Sequence, residues 1–318
     1  MQIRNFWLSR EVLVGVALVV LVAVPVLVFG GHEVVFVDHN NEGAEDGTSD
    51  HPYQTISHAL DHAKGGTEVR IKNGTYKENI TIPADVKVLS DREDVDKVII
   101  KADNDDKPVV IMKDGTELSY VTVRNGLHGV RIKEGAEAHL YNVKVKNNKR
   151  DGIHIDSAST KKKYRVLIDH SAIRDNGRAG IYSEKRFIVL INSDVLYNGS
   201  DGLDLAAGTK GWLENNHFNG NSGSGAKMVM DGSEIWTKKN SFLGNKHEGV
   251  EINSYGGSGN IGFKKATFAD NELHGVAKLA RTDSGYQGFQ NLFFGDGVNV
   301  DHFSNNRFGN LSASIRGF

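Results

Sequence analysis

Arg131, His154, Tyr182, Asp204, Lys227 and Glu251 each stand two residues after a glycine, and those glycines recur at intervals of 22 to 28 residues. Lys133, Asp156 and Glu184 stand four residues after the first three of them, and Asp151 and Asp201 stand immediately before two. An imidazole and a phenol can exchange protons, carboxylates can hold a hard cation, and Arg or Lys can clamp an anion. Placed side by side, His154, Tyr182 and Asp204 are the candidate catalytic groups. Asp156 and Glu184 are the candidate metal ligands, with Ca2+ the ion their oxygens suit. Arg131, Lys133, Asp151 and Asp201 are left to bind substrate.

Only a repeating element brings residues so far apart in sequence together. The phrase Asn-x-x-x-Gly followed by an apolar residue occurs with Asn125, Asn148, Asn176, Asn198, Asn221, Asn245 and Asn271, and with Gly129, Gly152, Gly180, Gly202, Gly225, Gly249 and Gly275. A period of this size marks a solenoid, in which each unit buries its apolar face against its neighbours. After each glycine apolar residues alternate, as in Ile153 and Ile155 or Leu203 and Leu205, which is the period of a strand. Three residues before the asparagine comes a further apolar position: Val145, Ile173, Val195, Phe218, Phe242 and Phe268. Two or three short strands per unit, joined by tight turns in which Asn and Gly take left-handed backbone conformations, make an all-β parallel β-helix. Residues two and four after each glycine then face outward, with rungs about 4.8 Å apart.

The chain has 318 residues, 39% of them hydrophobic, and a formal charge of −2. That near balance offers no basic field for nucleic acid. The lack of cysteine removes disulfides, zinc-thiolate sites and thiol nucleophiles. Residues 12–31 are uncharged and interrupted only by Pro25; at about 1.5 Å per residue a helix of this length spans roughly 30 Å, enough for a bilayer. With Arg4 and Arg10 on the short flank, the expected organisation is a cytoplasmic segment 1–11, one transmembrane signal anchor 12–31 and an extracytoplasmic solenoid 32–318. Cleavage of the segment as a signal would instead release the solenoid.

The segment 35–82, with its acidic loop ending in GTSDHPYQTI, its ALDHAKGGTEVRI stretch and its GTYKENI phrase, resembles the entry region of right-handed parallel β-helix proteins of the pectate-lyase-like superfamily. Later rungs such as NGRAGIY resemble that superfamily's repeats. The resemblance implies a right-handed coil capped by a short amphipathic helix, and the helical spacing of Ile56, Ala59, Leu60 and Ala63 between Pro52 and Gly65 agrees. It implies a polysaccharide partner, acidic by analogy, but not one activity. LIDH at 167–170 is similar to the WIDH phrase of pectate lyases without its tryptophan; RIK at 131–133 has no GHG before it, and DPHE is absent. In the enzymatic reading, Ca2+ bridges the protein to a uronate carboxylate and a base, His154 or Tyr182, removes the proton alpha to it, giving elimination or epimerisation. A carboxylate pair could alternatively hydrolyse a glycosidic bond. The second reading is a non-catalytic module that binds glycan or a partner, and the third is a structural spacer.

Three further stretches stand apart from the ladder. Asp38, Asn40, Glu42 and Gly43 follow the order of a calcium loop, but Ser49 stands where the bidentate Glu belongs. Residues 160–165, TKKKYR, read as a basic loop protruding from a lengthened rung. The tail carries Phe289, Phe293, Phe294, Phe303 and Phe308, aromatics suited to covering the open end of a solenoid.

Overall fold

The structure, a computed structural model, describes residues 33–161, 164–282, 284–285, 289–295 and 301–312. Glu33–Phe318 is one compact unit. Its strands form three parallel sheets, one of eleven strands and two of ten, and after the first strand each sheet takes every third strand of the chain. This is the right-handed parallel β-solenoid, of about nine turns. Among the described residues no helix is long and apolar enough to cross a membrane. The expected anchor at 12–31 lies outside those residues.

The first sheet runs from Val34–Val37 to Leu292–Phe293, the second from Gly74–Lys77 to His302–Ser304, and the third from Ile80–Ile82 to Gly309–Leu311. Alternation puts Val130, Ile153, Ile181, Leu203, Ala226, Val250 and Val276 of the third sheet in the core, all without exposure, together with Val145, Ile173, Val195, Phe218, Phe242 and Phe268 of the second. The phenylalanines stack rung on rung, with centroids 5.1 Å apart for Phe218–Phe242 and 5.2 Å for Phe242–Phe268. At one inward position of the third sheet a charged side chain replaces the apolar residue. Lys278 is buried, with its ammonium 4.2 Å from the centre of the Phe289 ring.

Asparagine fills the turn between the second and third sheets. Each ladder side chain donates to the next through Nδ2, from Asn148 through Asn176, Asn198, Asn221, Asn245 and Asn271 to Asn306, over 2.8–3.1 Å. Asn125 is not a member. The first unit is one residue shorter in this turn, so Gly126 takes the ladder position, its N–H donating to Asn148 Oδ1 at 2.9 Å, and Asn125 sits one residue earlier. The left-handed conformation also falls elsewhere than expected: it belongs to the residue before each ladder asparagine, namely Asn125, Asn147, Asp175, Tyr197, Gly220, Gly244, Asp270 and Asn305. The repeat glycines are needed for close approach, not for positive φ. A Cβ on Gly202 would lie 2.5 Å from Gly225 O and 2.7 Å from Asn221 Nδ2. Asn221→Leu is expected to cost about 2–3 kcal/mol, because buried groups on Asn198, Asn245 and Val195 lose their partner; chemical denaturation measures it.

Both ends are covered. Helix Ile56–His62 buries Ile56, Ala59 and Leu60 at the N-terminal end. Thr55 caps it, and the Glu78 carboxylate accepts from the N–H groups of Ile56 and Ser57 at 2.9 and 2.8 Å. At the other end Phe294 lies against Phe263 at 5.5 Å and Phe303 on Phe268 at 4.7 Å, the capping role expected of the tail. The acidic loop is held by its own turns: Asp38 accepts from Asn40 N–H, Asn41 from Gly43 N–H, and Asp46 from Thr48. Within 160–165, residues 162–163 lie outside the described set, and Arg165 is 3.6 Å from Glu137.

Candidate functional site

The register of the third sheet sets Arg131, His154, Tyr182, Asp204, Lys227, Glu251 and Ala277 in one row. Lys133, Asp156 and Glu184 follow on the same strands' exits. The outward row read from the glycines is therefore the row in the structure, and it divides into two parts.

The first part is a closed ion-pair cluster. Asp156 meets Arg131 Nε at 3.1 Å, Lys133 Nζ at 3.6 Å and His154 Nε2 at 3.6 Å. Asp151 is buried in the turn row, with His154 Nδ1 at 3.0 Å and His128 Nδ1 at 3.3 Å from the same oxygen. Burial alone would raise the Asp151 carboxyl, but the imidazoles of His128 and His154 and the nearby charge of Arg178 hold it below its ordinary value. A carboxylate depressed in the folded state contributes stability above its unfolded pKa of about 4 and loses that contribution as pH falls toward the folded value. Asp151→Asn is therefore expected to lower Tm by on the order of 5 °C at pH 7, with the gap to the parent closing below about pH 4; thermal scans across that range test the sign.

Two donor sets bear on metal binding. His128, Asp151 and His154 offer two nitrogens and an oxygen, all within 4.8 Å of one another, a set that suits a borderline divalent ion such as Zn2+. Asp156 and Glu184 offer oxygens, but Ca2+ takes about six to eight of them, and those of Asp156 already face two cations.

The second part is an open groove of about 390 Å³, lined among others by Tyr182, Asp204, Lys227, Asn253, Tyr255 and Arg281. Lys227 Nζ reaches Asp204 Oδ2 at 3.4 Å, and Arg281 Nη2 reaches Glu251 Oε1 at 2.9 Å. Burial pushes the Asp204 carboxyl up, against the opposing pull of Lys227, and likewise Asp201, whose Oδ1 accepts from Ser224 N–H at 2.8 Å. Burial and then the charges of Glu184 and Asp204 raise the Tyr182 phenol, so it stays a hydrogen-bond donor at neutral pH. The Tyr182 ring also stacks on His154, centroids 5.0 Å apart, which joins the two parts.

Tyr182 and Asp204 of the expected site thus line the groove, His154 borders it, and Arg131, Lys133, Asp151 and Asp156 form the ion-pair cluster beyond. Asp201 lies in the turn row and Glu184 beside Tyr182. Lys227, Asn253, Tyr255 and Arg281 were not among the expected site residues. The first two were visible in the outward rows; Tyr255 and Arg281 lie past the repeat phrase, where only strand length reveals them.

Comparison with known proteins follows the fold. The pattern described as "Right handed beta helix region" matches residues 128–313. An uncharacterized Bacillus subtilis protein, YwoF, is 34% identical over 53 residues, a match covering 17% of this chain and only 11% of that protein's length. Among solved structures, pectate lyase Pel9A superposes with a TM-score of 0.50 at 14% identity, over 88% of this chain and 77% of that one. The polygalacturonase from Erwinia carotovora ssp. carotovora gives 0.49 at 11% identity, over 90% and 95%. Identities this low establish the fold alone. With the family pattern spanning more than half of its residues, the chain belongs to the right-handed β-helix family.

Proposed function

We propose that this protein binds an acidic polysaccharide across the groove of the third sheet. The observation that carries the reading is the pairing of two cations, Lys227 and Arg281, with two phenol rings, Tyr182 and Tyr255, on one flat β-face. The cations suit a uronate carboxylate, the rings offer apolar faces and hydroxyls to a sugar, and Asp204 and Asn253 suit its hydroxyl groups. The name of pectate lyase Pel9A points to the same class of polymer. Residues 12–31 would hold the solenoid at the outer face of a membrane.

A second reading, elimination or epimerisation of the bound uronate, is favoured by one specific observation: His154 is oriented by buried Asp151 and stands beside the groove. His154 would take the proton alpha to the carboxylate, with Tyr182 donating to the sugar. A substrate carboxylate would compete with Asp156 for Arg131 and Lys133, and the released Asp156 oxygens, with Glu184, would hold Ca2+. Bound there, Ca2+ would neutralise the substrate carboxylate.

Ultraviolet absorbance of unsaturated products, followed on polygalacturonate and alginate with and without Ca2+, tests elimination, and NMR analysis of the uronate composition of the recovered polymer tests epimerisation. Either product lost in His154→Ala supports the second reading; a flat trace and an unchanged composition with retained binding leave the binding protein, and absence of binding refutes both.

A further inference from the structure

The whole-chain charge balance conceals a local row. On the second sheet the last residues of five successive strands are Lys77, Lys101, Arg124, Lys146 and Arg174, each in register with the next. The residue before each, Tyr76, Ile100, Val123, Val145 and Ile173, is buried, which turns the cations outward. At about 4.8 Å per rung they form a straight line of five positive charges along the solenoid axis. Like charges directly opposite on paired strands repel and lower stability, and an outward position accepts any polar residue, so core packing does not demand this row.

The ends of the row are neutralised: Lys77 lies 3.0 Å from Asp103 and Arg174 2.5 Å from Asp175. Among the described residues the central Lys101, Arg124 and Lys146 form no ion pair, and Arg124 Nε is buried without a hydrogen-bond partner. Exposed Arg150 and Arg178, on consecutive rungs of the adjoining turn, extend the positive field. The row stops at Leu196.

We infer that this row is a binding track for an extended anionic polysaccharide lying along the solenoid axis. A 1,4-linked glycan with one carboxylate or sulfate per sugar advances by about one rung per charge, so successive anions meet successive cations. Single-stranded nucleic acid is bound with aromatic rings between the cations, and membrane surfaces with apolar side chains beside them. The parallel row here, Thr75, Ile99, Thr122, Lys144, Ala172 and Asp194, has no aromatic ring, and its two apolar members, Ile99 and Ala172, stand on separate rungs and make no continuous apolar strip. The track rests on the proposed function only for the choice of polymer, and it lies on a different sheet from the groove.

The test compares the parent protein, a track variant (Lys101→Ser, Arg124→Ser, Lys146→Ser) and a groove variant (Lys227→Gln, Arg281→Gln) by calorimetric titration. The probes are polygalacturonate, cellulose sulfate, single-stranded DNA and vesicles of anionic lipid. Removing mutual repulsion should leave the Tm of the track variant unchanged or raised, which verifies folding. The expected result is a loss on the order of 10-fold in affinity for both anionic glycans in the track variant, with a shallower salt dependence. Unchanged glycan affinity in that variant overturns the track; if the groove variant alone loses polygalacturonate, the groove reading stands without it. Loss of cellulose sulfate binding in the track variant of a protein that never bound polygalacturonate upholds the track and refutes the uronate groove. DNA or vesicle binding tighter than glycan binding, and lost in the track variant, overturns the choice of polymer.

Discussion

Arg186→Met is expected to destabilise the solenoid by about 3–5 kcal/mol, lowering Tm by roughly 10 °C, the largest effect of any single substitution considered for this chain. Arg186 is fully buried at the entry to strand Phe187–Ile191. Its Nη1 donates to Asp156 O at 2.9 Å, Ser157 O at 3.3 Å and Lys133 O at 3.4 Å, and its Nη2 donates to Ala136 O. One guanidinium therefore ties together the turns of the two preceding rungs, those that carry Lys133 and Asp156. Burial pushes its pKa down to about 10, still far above neutrality, so the group stays charged. Methionine keeps most of the apolar stem but leaves several turn carbonyls without a donor. Denaturant unfolding of the variant measures the loss; a change below about 1 kcal/mol would mean that water satisfies those carbonyls instead.

The second large effect is on binding. Lys227→Gln combined with Arg281→Gln should weaken the affinity for a short oligogalacturonate by at least about 100-fold, since each cation forfeits a charge-assisted bond of about 1.5–3 kcal/mol. Both side chains are partly exposed and their carboxylate partners, Asp204 and Glu251, remain in the groove. Those carboxylates then repel the ligand as well. Tm should change little, because exposed ion pairs contribute about 0–1 kcal/mol. Calorimetric titration of the two proteins with the same oligomer reads the difference.

The fold could be read in the sequence because its two strongest constraints are local and repeated. A Cβ on Gly202 or its equivalents would collide with the next rung, and a ladder asparagine is needed to pair with its neighbours. The one misplaced member, Asn125, belongs to a unit with a shorter turn, where counting from Gly129 slips by one residue. The outward row from Arg131 to Glu251 was legible for the same reason, since a period of two fixes which side chains face solvent. What each member touches was not. Asp151 meets His128 across a rung, Asp156 is claimed by Arg131 and Lys133, and Arg281 reaches the groove from beyond the repeat phrase; such pairings depend on side-chain reach, not on spacing. Arg186 was hidden because a buried cation at the edge of an apolar run leaves no periodic signal, whereas Lys278, three residues after Gly275, falls at an inward position by the period itself. The five-residue row on the second sheet was hidden by a near-zero total charge.

The measurement that addresses the central claim most directly is a calorimetric titration of the full chain with an oligogalacturonate and with the same oligomer after reduction of its carboxyl groups to alcohols. Recognition of an acidic polysaccharide through Lys227 and Arg281 predicts binding of the first and a loss of at least about tenfold with the second. Equal affinity for the two oligomers, or binding of neither, would contradict it.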